Sequence, residues 1–92
     1  MSQPEARLAR AIRLELTSRG VFVFKVHGSS MMMAGLPDLI GCANGRFIAI
    51  ECKMPGNKAS RIQELIHSKI EAAGGRVIVA YSVQDALKVL RD

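Results

Sequence analysis

Two apolar runs joined by Asn44-Gly45 constrain this 92-residue chain more than any other feature. Asn and Gly both tolerate positive φ, which a two-residue type I′ turn needs, and that turn matches the natural twist of paired strands. The flanking runs, "PDLIGCA" and "RFIAIECK", are therefore expected as antiparallel strands over 37–43 and 46–53. A two-residue turn also fixes the register. Ala43 then faces Arg46, Ile40 faces Ala49, and Asp38 faces Glu51. Opposed residues carry Cβ atoms roughly 5 Å apart on one face. Lys53 lies two residues beyond Glu51 and points to the same face. The hairpin thus gathers two carboxylates and an ammonium within apolar strands, where uncompensated charge is costly to desolvate.

The remaining elements follow from period and punctuation. Leu8, Ile12 and Leu16 recur at helical spacing, so a helix is expected from about Gln3 to Arg19. Ser2 is its N-cap, Glu5 stands three residues on, and Pro4 sits in the first turn. "VFVFKV", 21–26, is dense in β-branched and aromatic residues and reads as a strand. "HGSSMMMAG", 27–35, and "MPGNKA", 54–59, read as loops. Ser60 caps a second helix whose apolar face is Ile62, Leu65, Ile66, Ile70 and Ala73, and Gly74-Gly75 ends it. "RVIVAY", 76–81, is a fourth strand, and Ser82 caps a short last helix. The order is α-β-β-β-α-β-α: one α/β domain over 1–92, with a mixed sheet flanked by helices and a short C-terminal helix.

Charge narrows the partners. Thirteen Lys and Arg against eight Asp and Glu leave a net charge of +5. An anionic partner is expected, most simply nucleic acid. No apolar run approaches the ~18 residues of a membrane span, and the N-terminus has no apolar signal core. Cys42 and Cys52 lie in expected strands and read as small apolar residues in a reducing interior, so a soluble cytoplasmic protein is expected.

The chemistry of the hairpin cluster has two readings. Asp38, Glu51 and Lys53 either sit on a solvated face or share a divalent cation. Ile40 and Ala49 share their face, which argues for partial cover. Two carboxylates so close repel and raise each other's pKa, and Mg²⁺ between them removes the repulsion. One or two carboxylates, water and phosphate oxygens are its common ligands, and the backbone carbonyl of Cys52 offers a third protein oxygen. Lys53 is placed to orient a water or offset developing negative charge, as metal-assisted phosphodiester hydrolysis requires.

Pro37-Asp38, twelve intervening residues and Glu51-Cys52-Lys53 resemble the PD-(D/E)XK nuclease signature. With "GLPDLI", "IECK", "SRIQ" opening a helix and "AGGRVIVAYSVQDA", the chain from Glu5 to Ala86 resembles the VRR-NUC (virus-type replication-repair nuclease) family. That resemblance implies a restriction-endonuclease-like αβββαβ core and cleavage of DNA phosphodiesters with Mg²⁺ or Mn²⁺. It implies Asp38 and Glu51 as metal ligands, Lys53 as catalytic lysine, Glu5 as the acid of the first helix that completes the site, and Gln63 as the glutamine opening the next helix. Single-domain members resemble phage and bacterial Holliday-junction resolvases. A homodimer acting on four-way junctions, inside a bacterial or phage-infected cell and without a small-molecule cofactor, is therefore expected. The alternatives are a non-catalytic DNA-binding module and a nuclease subunit of a larger restriction or replication complex.

Other residues keep two readings. Glu5 and Gln63 are each third in a capping pattern, which competes with a site role or coexists with it. Glu15 is a rival acid at the edge of the first helix's stripe. Lys58 is a phosphate contact or ordinary surface. Arg7, Arg10 and Arg13 form a ridge that is a solvated face or a DNA-backbone contact. His27 and His67 lack ligand-spaced partners, which excludes zinc. His27, Ser29 and Ser30 lie near the sheet end, within reach of substrate. Met31, Met32 and Met33 form an apolar loop that packs on its own core, on a second copy, or into a DNA junction.

Overall fold

The structure, a computed structural model, describes residues 2–28 and 31–91. Helix α1 covers Gln3–Ser18; Ser2 caps it, its hydroxyl accepting from the Glu5 N–H at 3.3 Å. Ala9, Ile12 and Leu16 are its buried positions, with Leu8 packed against them. Gly20, at φ +82°, turns the chain out of the helix in a conformation that costs glycine little.

Strands β1 (Phe22–Lys25), β2 (Leu39–Ala43) and β3 (Arg46–Cys52) form an antiparallel meander. Helix α2 (Arg61–Ala72) then crosses over to β4 (Arg76–Ala80), which pairs parallel with β3, so the sheet order is β1-β2-β3-β4. Helix α3 (Val83–Leu87) and a 3₁₀ turn (Lys88–Leu90) close the chain. Asn44 at φ +52° and Gly45 at φ +80° make the expected tight turn, and Ala43 pairs with Arg46 and Ile40 with Ala49.

The sheet is dressed unequally on its two faces. Leu39, Ile48, Ile50, Cys52 and Ala80 pack with Ala9, Ile12 and Leu16 of α1 and with Ala86 and Val89 into one core. The alternate positions of β3, Phe47, Ala49 and Glu51, turn to the α2 side. Ile66 is the buried residue of α2, while Ile62 and Leu65, expected on its apolar face, are exposed at 46% and 50%. Cys42, read as a small apolar residue of a strand, lies in β2 and is exposed as well. The reason is shared: α2 packs on β4 and leaves the outer half of that face uncovered. Phe22, Phe24 and Phe47 are exposed there, the rings of Phe22 and Phe24 5.9 Å apart.

Both flanking strands are shorter than their apolar runs. β1 loses a residue at each end of 21–26. β2 starts at Leu39, leaving Pro37 and Asp38 outside the ladder. Within the sheet, Gly41 lets β1 and β2 approach: a Cβ there would lie 2.0 Å from the Phe22 carbonyl oxygen and 2.8 Å from the Val23 Cα. Backbone atoms cannot rotate away as a side chain can. Gly41→Ala is expected to cost about 1–3 kcal/mol through overpacking, read as a lowered urea midpoint at unchanged m-value.

Candidate active site

The site begins where the β2–β3 ladder stops. Continuing the register past the Leu39–Ile50 pair places Glu51 opposite Asp38 and Cys52 opposite Pro37. Proline has no N–H to give to a ladder, so Pro37 cannot donate to the Cys52 carbonyl. The Cys52 N–H is taken by a side chain instead, donating to Asp38 Oδ2 at 2.8 Å. The N–H and C=O of one strand residue point to the same side, so the Cys52 carbonyl is turned toward Asp38 too. The other edge of β3 stays paired with β4, and the ladder runs on through Lys53, whose N–H donates to the Ala80 carbonyl at 3.0 Å. β2 and β3 thus part at their ends while β3 stays rigid.

Glu51 sits in that fork, only 2% exposed, and is the one buried charged residue among those described. Its Oε2 lies 3.9 Å from Lys53 Nζ and its Oε1 lies 3.5 Å from His67 Nε2. Among the described residues neither Oε1 nor His67 Nε2 finds a hydrogen-bond partner, though both are buried. The 3.5 Å separation suits an ion pair in length but is not aligned as a hydrogen bond.

The electrostatics follow from this placement. Burial, then a hydrogen bond and repulsion from Asp38, push Glu51 from 4.5 up to about 8, against the opposing pull of Lys53. Burial first, then Asp38 and Glu51, push the Cys52 thiol up to about 12, which leaves it protonated and unreactive. Burial lowers His67, with Glu64 and Glu71 pulling the other way. Among the described residues Lys53 is the one Lys or Arg within ion-pair distance of Glu51.

The candidates named from the sequence separate in space. Asp38, Glu51, the Cys52 backbone and Lys53 come together as the register implies. Glu5 is half-buried in the first turn of α1 and its charge reaches Glu51 and Cys52. Among the described residues, however, no three His, Cys, Asp or Glu side chains converge, so Glu5 does not close a three-carboxylate cluster. Gln63 completes the capping box, its Oε1 accepting from the Ser60 N–H at 2.8 Å, so only its amide NH₂ is left for other work. Lys58 lines a cleft of about 410 Å³ with Glu64, His67, Ser68 and Tyr81. The Tyr81 hydroxyl donates to the Asn57 carbonyl at 2.8 Å and ties that loop down. Arg7 and Arg10 are exposed and Arg13 is half-buried, and none lines a cavity beside the carboxylates. Glu15 pairs with Arg19 at 2.8 Å, away from the site. Ser29 and Ser30 lie outside the described residues. Met32 and Met33 line a cavity of about 520 Å³ with Lys25, Gly28 and Asp38. His67 is the residue that sequence reasoning misses, since excluding zinc leaves it no role. Its signal is its place four residues after Gln63, on the same face of α2.

Asp38, Glu51 and the Cys52 carbonyl form a set of hard oxygen donors. Such a set suits Mg²⁺ or Mn²⁺ and not a thiolate-preferring metal. The fork is open to cavities on both sides, through Asp38 on one and His67 on the other.

Comparison with known proteins decides the lineage. The family model for the archaeal Holliday junction resolvase, Hjc, matches residues 3–90. The chain belongs to that family. The VRR-NUC resemblance read from the sequence is matched in fold: a solved VRR_NUC domain superposes with a TM-score of 0.78 at 22% identity, covering 97% of this chain and 96% of that one. The Hjc of Archaeoglobus fulgidus, a Holliday junction resolvase, superposes with a TM-score of 0.61 at 24% identity, covering 82% of this chain and 65% of that one. The expected mixed α/β nuclease fold is therefore the observed one. In sequence, p44 of Acyrthosiphon pisum secondary endosymbiont phage 1, a protein that carries a nuclease name, is 42% identical over 57 residues. That match spans 61% of this chain and 60% of the length of p44. No helix among the described residues is long and apolar enough to cross a membrane.

The raised Glu51 gives a stability signature. Folded, Glu51 keeps its proton up to about pH 8; unfolded, it loses it near 4.5. Between those values the unfolded chain binds fewer protons, so stability falls as pH rises. In EDTA, unfolding free energy should be highest below about pH 5 as far as this group is concerned, and should decline through pH 8. Glu51→Gln should flatten that decline in urea titrations across the pH range.

Proposed function

We propose that this chain is a metal-dependent, structure-selective endodeoxyribonuclease that cuts four-way DNA junctions as a homodimer inside the cell, each chain supplying a single nuclease domain over 1–92. The observation that carries the proposal is the buried Glu51, set opposite Asp38 in a strand fork of a chain of the Hjc family, with Lys53 as its nearest ammonium. Junction preference rests on the family, and nuclease chemistry also on the name of p44. The dimer follows from need: resolving a junction takes two cuts, and one chain offers one such fork.

In the proposed mechanism Asp38, Glu51 and the Cys52 carbonyl hold the metal, and Glu5 adds its charge from the first turn of α1. When bound, Mg²⁺ or Mn²⁺ polarises the scissile phosphate and lowers the pKa of a coordinated water. The protein does the rest. The Cys52 N–H fixes the Asp38 carboxylate, so the acid closest to solvent does not swing. Lys53 orients the attacking water or offsets the charge that grows on the phosphate oxygens. Lys58, held by the loop that Tyr81 anchors, contacts a backbone phosphate beside the cleft. The amide NH₂ of Gln63 is available to the same strand. Arg7, Arg10 and Arg13, together with Ser29 and Ser30, contribute to the wider DNA surface.

Cleavage of a labelled four-way junction tests this, with matched duplex and single strand as controls, in Mg²⁺, Mn²⁺ and EDTA. Paired metal-dependent nicks in the junction are expected. Glu51→Gln and Lys53→Ala should each lower the rate by about 10²-fold or more, the scale of losing one charge-stabilising group, with junction binding retained. Tight junction binding without cleavage by the wild-type chain would instead identify a binding module. Cleavage that appears only on adding a partner protein would identify a subunit of a larger complex.

A further inference from the structure

Resting on that reading of the fork, one residue remains unexplained. His67 lies on α2, across the sheet face from β3, with its side chain 13% exposed. Its Nε2 is buried and unpartnered, and so is Glu51 Oε1, 3.5 Å away. Leaving either atom unsatisfied costs the full penalty of its desolvation. Both penalties vanish together if a proton on Nε2 is shared with Oε1, and a small rotation of the imidazole supplies the alignment. The other Glu51 oxygen, Oε2, is the one near Lys53.

A glutamate in a strand fork has three rotatable side-chain bonds, and its neighbours decide which oxygen it presents. Asp38 hydrogen-bonds to it while the acid is protonated and repels it once ionised, and Lys53 approaches only to 3.9 Å. The neighbouring acid is already held by the Cys52 N–H. Glu51 has no backbone donor of that kind among the described residues. A donor from α2 is the part the fork lacks.

We propose that His67 is the positioning residue of this site: its Nε2–H donates to Glu51 Oε1, locks the carboxylate rotamer and leaves Oε2 for the metal and Lys53. His67 does not touch the substrate in this role. Hydrogen-bonded groups of this kind outside the ligand shell tune affinity as well as geometry, and their loss costs about 10–100-fold in metal affinity or activity.

The test uses the whole chain in three forms: wild type, His67→Leu and His67→Gln. Leucine keeps the bulk without a donor, while glutamine carries an amide nitrogen to about the position of Nε2. Mn²⁺ binding is measured by calorimetry without DNA. The imidazole tautomer of the wild type is read from long-range ¹H–¹⁵N correlations at saturating Mg²⁺. Thermal melts establish that each variant folds. His67→Leu should weaken Mn²⁺ binding about 10–100-fold, His67→Gln should restore it to within about threefold of wild type, and the wild-type imidazole should carry its proton on Nε2. Wild-type Mn²⁺ affinity in His67→Leu, a glutamine variant no better than leucine, or a bare Nε2 with the proton on Nδ1 would each overturn the proposal. A wild-type chain that shows the binding pattern but cuts no DNA would remove the nuclease reading and leave the His67 role standing. One that binds no Mn²⁺ would remove both.

Discussion

Everything at the site depends on a register, and the register depends on two residues. Asn44 and Gly45 both adopt positive φ, so the β2–β3 connection spends no third residue. One more residue in that turn would slide β3 by a single position and flip each of its side chains to the other face. Glu51 would then enter the core beside Ile12 and Leu16, and Cys52 would face α2. The same register sets Pro37 opposite Cys52, where its missing N–H ends the ladder. A hairpin that stayed paired to its last residue would direct the Cys52 N–H and carbonyl into the sheet. The fork exists because a turn and a proline agree on where the pairing stops.

That agreement places a carboxylate where it is expensive. Glu51 is buried beside another acid, and burial and Asp38 together push it up to about 8. Two solutions are open to a fold in that position: keep the proton, or bring a cation. In the absence of metal the proton stays. Lys53 at one oxygen pulls the other way, and His67 stands at the other oxygen. A site built only for stability would replace such a pair by apolar side chains of similar volume, since buried charge is weak evidence of stabilisation. Its retention in the middle of a packed sheet is a cost to the fold that function explains.

Much of this is legible in the sequence because it is local. The Asn-Gly turn, the alternation along β3 and the caps at Ser2, Ser60 and Ser82 each depend on a few neighbouring residues, and each agrees with the structure. The approach of Asp38 to Glu51 follows from the same register. What escapes depends on how separate elements lean on one another. Alternation alone makes Asp38 part of a strand, whereas Pro37 removes it from the ladder and turns it into a cap for Cys52. Periodicity says which face of α2 is apolar and not how far the sheet extends beneath it, so Ile62 and Leu65 are exposed where burial is expected. Glu5 falls on the side of α1 that carries the buried stripe, yet the rise of one helix against one strand decides whether a side chain reaches a ligand group. The spacing of His67 from Gln63 gives its face of α2 but not its partner, which is sixteen residues away on the other side of a loop.

The parts of the site also differ in how firmly they are held, and the difference matches what each must do. Glu51 and the Cys52 carbonyl ride on the part of β3, Ile48–Cys52, that is paired with β4 and buried throughout. His67 rides on a helix fixed by a complete capping box. Asp38 follows a buried proline and is tied to β3 by a hydrogen bond. These are the groups that would hold or position the proposed metal, and regular elements hold such geometry better than loops. Lys58 and the Met32–Met33 segment sit on loops at the rims of the two flanking cavities. Contacts to phosphate and to splayed DNA tolerate, and in a branched substrate require, more freedom than metal ligation does. A chain of 92 residues cannot rigidify everything. This one places its regular elements around the fork and leaves the rims of the flanking cavities to loops, a division that the proposed nuclease would use and that a purely structural charge cluster would not need.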